Sequence, residues 1–118
     1  MVTDKSSDER YVYSQQILAR EQQMDELTSK KQSIFQLLDN LDLENRRWVY
    51  RMQELTESEV SDVGVQRQME EMRGKSDYIS RLIDYDRDDL THTFSRSVTE
   101  LDETRLQLQR ERNSLPWA

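Results

Sequence analysis

Apolar residues recur at heptad spacing through the first half of this sequence. One heptad position holds Ile17, Met24, Leu38 and Met52, and the position three residues later holds Leu27, Ile34, Leu41, Trp48 and Leu55. Sustained for about five heptads, this pattern is typical of a long helix packing along one side against another helix. The residues between are mainly Gln, Glu, Lys, Arg and Asp, which suit a solvated helix face. The repeat therefore predicts one helix over about residues 8–55.

A second apolar repeat predicts a second helix over about residues 67–115. The repeat is regular from Leu90 onward, with apolar residues at intervals of seven at Phe94, Leu101, Leu108 and Leu115, and Pro116 ends the pattern. Upstream the pattern is weaker, and Gly74 predicts a kink, a short break or a phase shift between two stretches of the repeat, because an interior glycine costs about 1 kcal/mol relative to alanine.

The two helical patterns are separated by a polar segment. Between Thr56 and Gln66 the periodicity stops, and Ser58, Asp62 and Gly64 favour a chain reversal. At the other end Ser6 stands three residues before Glu9, the spacing of a capping box that would begin the first helix. We therefore predict an all-α chain, residues 1–118 forming a single domain, folded as a long antiparallel coiled-coil-like hairpin with its turn near residues 56–66.

Composition excludes most other folds. Only 34% of the 118 residues are hydrophobic and 35% are charged, against roughly 45–50% and about 25% in ordinary globular domains. Two glycines and one proline leave little turn chemistry for a sandwich or a βαβ fold. The net charge of −7 also argues against nucleic acid or an anionic membrane as partner, since both need a basic footprint.

The sequence offers little for catalysis or cofactor binding. It has no cysteine, and His92 is its one histidine, so we expect no enzyme, no cofactor and no metal. The carboxylate run Asp84–Asp89 resembles a calcium loop, but Asp89 replaces the required glycine and Ser95 the closing glutamate. No apolar stretch suits a secretory signal or a membrane span, so we expect a cytoplasmic protein, exported at most together with a client.

Two polar residues interrupt the first repeat. Lys31 and Asn45 occupy the heptad position of Ile17. Lys31 can extend to solvent while Asn45 lies in a loosely packed layer, or both can fix register or partner choice, as a buried asparagine does in coiled coils.

Apolar residues also lie off the repeat, among them Phe35, Leu37, Val49 and Tyr50. One neighbouring helix cannot cover all this surface, which predicts a second contact surface and a helical protein partner. We expect seven positions to be the most buried: Leu27, Ile34, Leu38, Leu41, Leu90, Phe94 and Leu101. The predicted partner-binding residues, on the helix faces, are Leu27, Ile34, Phe35, Leu38, Leu41, Trp48, Met52, Leu90, Phe94, Leu101 and Leu108.

This sequence predicts two long amphipathic helices with a central turn, has an acidic balance, and ends in Leu-Gln-Leu-Gln-Arg-Glu-Arg-Asn-Ser-Leu (106–115). In these features it resembles the small helical proteins encoded beside LXG-type toxins of bacterial type VII (Esx) secretion systems. Those proteins are similar in architecture to the WXG100 helical hairpins. Two features depart from the WXG100 pattern. Ser61-Asp62-Val63-Gly64 stands where Trp-x-Gly is expected, and Tyr85-x-x-x-Asp89, which has the letters of the export signal, lies inside the second helix.

The resemblance implies a non-catalytic adaptor or chaperone. Such a protein would bind the helical N-terminal domain of a secreted toxin, with a second small helical protein as a further partner, and target the complex for export. The export signal would then come from another subunit. The alternative is a structural coiled-coil scaffold that homo-oligomerises without a client.

Overall fold

Two long helices joined by a short turn form the described part of this chain. The computed structural model describes residues 2–59 and 62–116, with side chains from residue 5 onward. Helix α1 spans Val2–Thr56, a single 3-10 turn covers Glu57–Glu59, and helix α2 spans Val63–Asn113. No strand occurs among the described residues. The predicted all-α helical hairpin with its turn near residues 56–66 is confirmed.

Asp62 begins the second helix. Its side-chain Oδ1 accepts a hydrogen bond from the backbone N–H of Gly64 at 2.8 Å, and its carbonyl accepts from the N–H of Gln66 at 3.0 Å. Asp62 therefore acts as the N-cap of α2, satisfying a donor that has no partner within the helix. Gly64 lies inside the first turn of α2, and no described glycine has a positive φ. The reversal is thus made before Gly64.

Both helices extend beyond their predicted limits. Helix α1 already includes Val2, so Ser6 lies inside the helix and is not the expected cap. Ser6 is buried because it continues the inward spacing of Arg10, Tyr13 and Ile17. Helix α2 runs through Gly74 without the expected break. A Cβ on Gly74 would meet nothing within 4 Å, so close packing does not explain this glycine.

The residues cluster into two compact units, which we name by their position. The terminal unit is Met1–Lys31 with Thr91–Ala118, and the turn unit is Gln32–Leu90. Among the described side chains each unit contains one strongly buried apolar residue, Ile17 in the terminal unit and Ile83 in the turn unit, exposed by 5% and 3%. No described side chain is completely removed from solvent. Each unit therefore has a thin core.

Arginines tie the two helices together in the terminal unit. The Arg10 guanidinium donates to the carbonyl of Leu115 at 3.2 Å and to that of Pro116, and Arg112 donates to the Ser14 hydroxyl at 3.3 Å. The two bonds of Arg10 satisfy carbonyls beyond the last turn of α2. Partial burial and the neighbouring Glu111 carboxylate, which accepts a hydrogen bond from the phenol, raise the pKa of Tyr13.

The inward residues of the turn unit do not follow a strict heptad. On α1 they are Ile34, Leu38, Asp42, Asn45, Val49, Met52 and Thr56, and on α2 they are Met69, Met72, Ser76, Ser80, Ile83, Arg87 and Leu90. Both series contain two consecutive steps of four, at 34–38–42 and at 72–76–80. An additional step of four in a heptad repeat is a stutter, which rotates the contact stripe around the helix. The two stutters are offset along the hairpin and meet at their ends, where the Ser80 hydroxyl donates to Asp42.

A polar layer occupies the stutter. Asn45, exposed by 9%, donates through Nδ2 to the Ser76 carbonyl at 3.0 Å and to Ser80 Oγ at 3.3 Å. Ser80 Oγ in turn donates to Asp42 Oδ1 at 3.2 Å. Buried and bonded to the opposite helix, Asn45 does not lie in a loosely packed layer. This arrangement agrees with the register-fixing alternative, because the amide satisfies its donors only in this alignment of the helices.

We expect Asn45→Ala to lower the free energy of unfolding by about 1–2 kcal/mol relative to Asn40→Ala. Asn40 is exposed on the same helix, so its replacement carries the same gain in helix propensity without losing a buried bond. Urea titration followed by circular dichroism at 222 nm measures both variants. Equal stability of the two would mean that the polar layer contributes nothing to the fold.

Candidate partner-binding surface

Nine of the eleven predicted partner-binding residues lie half-buried along the inter-helix seam or at its edge. In the terminal unit they are Leu27, Phe94, Leu101 and Leu108, and in the turn unit they are Ile34, Phe35, Leu38, Met52 and Leu90. The other two, Leu41 and Trp48, are exposed by 50% and 41%. The eleven residues therefore serve two different surfaces.

The expectation that Leu41 is among the most buried residues is wrong. Its physical reason is the stutter, which turns Asp42 and Val49 toward α2 in place of Leu41 and Trp48. Leu55, the next residue of the same heptad position, is exposed by 74% for the same reason. The other six residues expected to be most buried are only half-buried. The most buried apolar side chains are instead Ile17 and Ile83.

The displaced residues form an apolar strip on α1. At 100° per residue, Leu37, Leu41, Trp48 and Leu55 lie within about 40° of one another around the helix. The strip is turned about 75° from the inward direction that Leu38 and Asn45 define. It therefore runs along one side of the hairpin in the turn unit.

Two residues of α2 extend this strip. Around each helix, angles are measured in the sense in which the chain winds. In an antiparallel pair, residues whose angle is smaller than that of the inward direction lie on the same side of both helices. Ile79 and Leu82 have such angles on α2, as Leu41 and Trp48 have on α1. The bonds of Asn45 and Asp42 to Ser80 set these two residues level with Leu41 and Trp48. We call Leu37, Leu41, Trp48, Ile79 and Leu82 the apolar flank; all five are exposed.

Polar bonds join the two helices on the opposite side of the turn unit. Arg87 Nη2 pairs with Asp39 Oδ1 at 2.6 Å. With the Gln53 amide oriented to match its neighbour, the Gln53 oxygen accepts from Arg73 Nε and Nη2 at 3.1 and 2.9 Å. The exposed Leu43 and Tyr50 also lie on this side of α1. The polar bonds that hold the helices together are thus on the side opposite the apolar flank.

Ile79 and Leu82 are not among the predicted partner-binding residues. Their signal was present, because Ile79, Leu82 and Ile83 follow at helical spacing. These three positions span about 100° around the helix, so a seam formed with one thin neighbouring helix buries only part of the set. The periodicity alone does not say which; the stutter decides that Ile83 is buried and the other two are exposed.

The remaining candidate residues lie on exposed parts of α2. Tyr85 is exposed by 69%, and Asp84, Asp86, Asp89 and His92 are exposed as well. Within residues 2–59 and 62–116, no group of three or more His, Cys, Asp or Glu side chains is placed to hold a metal ion. In the same part of the chain, neither helix combines the length and the apolar character needed to cross a membrane.

Comparison with known proteins finds no matching family model, no matching curated protein and no matching solved structure.

Proposed function

We propose that this chain is a non-catalytic helical adaptor that binds a helical segment of another protein. The observation that supports it best is the apolar flank, five exposed apolar side chains gathered on one side of two helices. Apolar side chains in a contiguous patch mark interaction sites, whereas singly scattered ones do not. A stable complex buries about 800 Å² on each partner, and a helix laid along the flank would complete a three- or four-helix bundle.

For the partner we propose the helical N-terminal domain of a secreted type VII effector, the adaptor targeting that effector for export. This identity rests on the resemblance to the small partners of LXG-type toxins. A helical client suits the flank because its apolar residues, at steps of four and seven along α1, match the anchor spacing with which helices pack.

Co-expression with the N-terminal domain of a toxin encoded beside this gene tests the proposal. We expect the two chains to co-purify as a stable complex and the export of the toxin to fail when the gene is deleted. A toxin domain that is folded and soluble alone, does not co-purify with this chain and is exported without it would contradict the proposal.

A further inference from the structure

The negative charge of this chain is concentrated in one unit. The turn unit carries 14 acidic and 8 basic side chains, a formal charge of −6, whereas the terminal unit carries 10 acidic and 9 basic side chains, a charge of −1. The apolar flank belongs to the acidic unit. Any occupant of the flank therefore approaches through a negative potential, which favours a positively charged partner and repels a negative one.

Carboxylates also border the flank directly. On α2 the helical register places Lys75 and Asp86 in line with Ile79 and Leu82, one turn beyond either end, and places Glu71 and Asp89 along the outer edge. Lys75 is the single cation among these four residues. Along its α1 edge stand Glu44 and Arg51, which balance each other. All six residues are exposed. The rim is thus acidic on the side of α2 and neutral on the side of α1.

We infer that the apolar flank is the docking site for a basic amphipathic helix of another protein. Its apolar residues, at spacing i, i+4, i+7 and i+11, would pack on Leu41, Trp48, Ile79 and Leu82. Its lysines and arginines would lie along the edge that faces α2, within reach of Glu71, Asp86 and Asp89. This inference rests on the proposed adaptor function and adds the surface and the chemistry of the partner.

A second copy of the chain suits the flank poorly. Two turn units brought flank to flank would oppose charges of −6 and −6, and like charges juxtaposed at an interface disfavour association. A basic helix instead neutralises part of the charge while its apolar stripe covers the same side chains. The charge distribution therefore separates the two occupants that apolar surface alone would admit.

Trp48 provides a direct reporter of this site. In the full chain with Trp117→Phe, Trp48 is the one indole, and its emission should shift to shorter wavelength when a helix covers it. The probes are two synthetic 21-residue helical peptides with the same leucine stripe, one with lysines and the other with glutamates beside it. We expect the lysine peptide to shift the emission and to bind at least tenfold more tightly than the glutamate peptide, with affinity falling as salt rises.

Matched variants locate the binding. Leu41→Asp is expected to weaken binding of the lysine peptide at least tenfold, because it places a charge in the apolar contact. Leu43→Asp, on the same helix and exposed to a similar extent (46% against 50%), should leave it within about twofold. Circular dichroism of both variants verifies that they fold.

Three results would overturn the inference. They are equal affinity for both peptides, an equal loss of peptide affinity in the two aspartate variants, or a concentration-dependent shift of Trp48 emission without peptide, which would assign the flank to a second copy.

These outcomes can be distinguished from failure of the proposed function. A toxin domain that co-purifies equally with wild type and Leu41→Asp would retain the adaptor and refute this docking site. Binding of the lysine peptide by a chain that ignores the toxin domain would do the reverse.

Discussion

Ile83→Ala is expected to lower the free energy of unfolding by about 2–5 kcal/mol, the range for removing an isoleucine from a packed interior. Ile83 is exposed by only 3% and is the one strongly buried apolar side chain among the described residues of the turn unit. A thin core has few other side chains to close a cavity. Urea titration measured by circular dichroism gives the change.

Ile79→Ala is the matched control, because Ile79 lies one helical turn away on α2 and is exposed by 39%. Both variants gain the same helix propensity, so their difference isolates burial. Should Ile83→Ala unfold the chain, Ile83→Val is the gentler replacement, with an expected loss of about 0.5–1.5 kcal/mol. Equal losses for Ile79→Ala and Ile83→Ala would show that the seam is assigned to the wrong residues.

The second large effect concerns the client. Trp48→Ala and Leu41→Asp are each expected to raise the Kd for the toxin N-terminal domain at least thirtyfold, equivalent to about 2 kcal/mol of binding free energy. A tryptophan at the centre of an apolar interface supplies much contact area, and an aspartate there loses hydration without gaining a partner. Isothermal titration calorimetry with the purified client domain measures the affinities.

Two other variants act as controls for this series. His92→Ala and Asp88→Asn should leave client affinity within about threefold, since both residues are exposed and lie outside the apolar flank and its acidic rim. Urea titration should find all four variants close to wild type in stability, because none of these residues is buried. Loss of client binding with His92→Ala or Asp88→Asn, but not with Trp48→Ala or Leu41→Asp, would place the function elsewhere on the molecule.

Heptad spacing was sufficient to predict the fold. Two helices packed along their length are predicted by the apolar repeat of the first half, which includes Leu27, Ile34 and Leu38, and by that of the second half, which includes Phe94, Leu101 and Leu108. The polar segment before Gly64 predicts where the chain reverses. Local chemistry was a weaker guide. Ser6 and Glu9 have the letters of a capping box, but the inward spacing that includes Ser6 overrides it, and tertiary packing commonly overrides such preferences.

The candidate site was only half predictable. An excess of apolar residues indicated a second surface, but the side of the helix that carries it depends on the stutter around Asp42, and a strict heptad assigns Leu41 and Trp48 to the seam. The stutter depends in turn on the bonds of Asn45 and Ser80 across the helices. Such pairing joins residues more than thirty positions apart, which periodicity within one helix does not report.

We propose that the apolar flank binds a different protein and not a second copy of this chain. Sedimentation equilibrium of the purified full chain tests it most directly, because an adaptor and a homo-oligomeric scaffold differ in mass. At low micromolar concentration we predict a mass of 14.2 kDa alone, and the mass of a one-to-one complex when the client domain is added. A stable species of twice the chain mass that persists on dilution and does not exchange for the client would contradict the account and favour the scaffold.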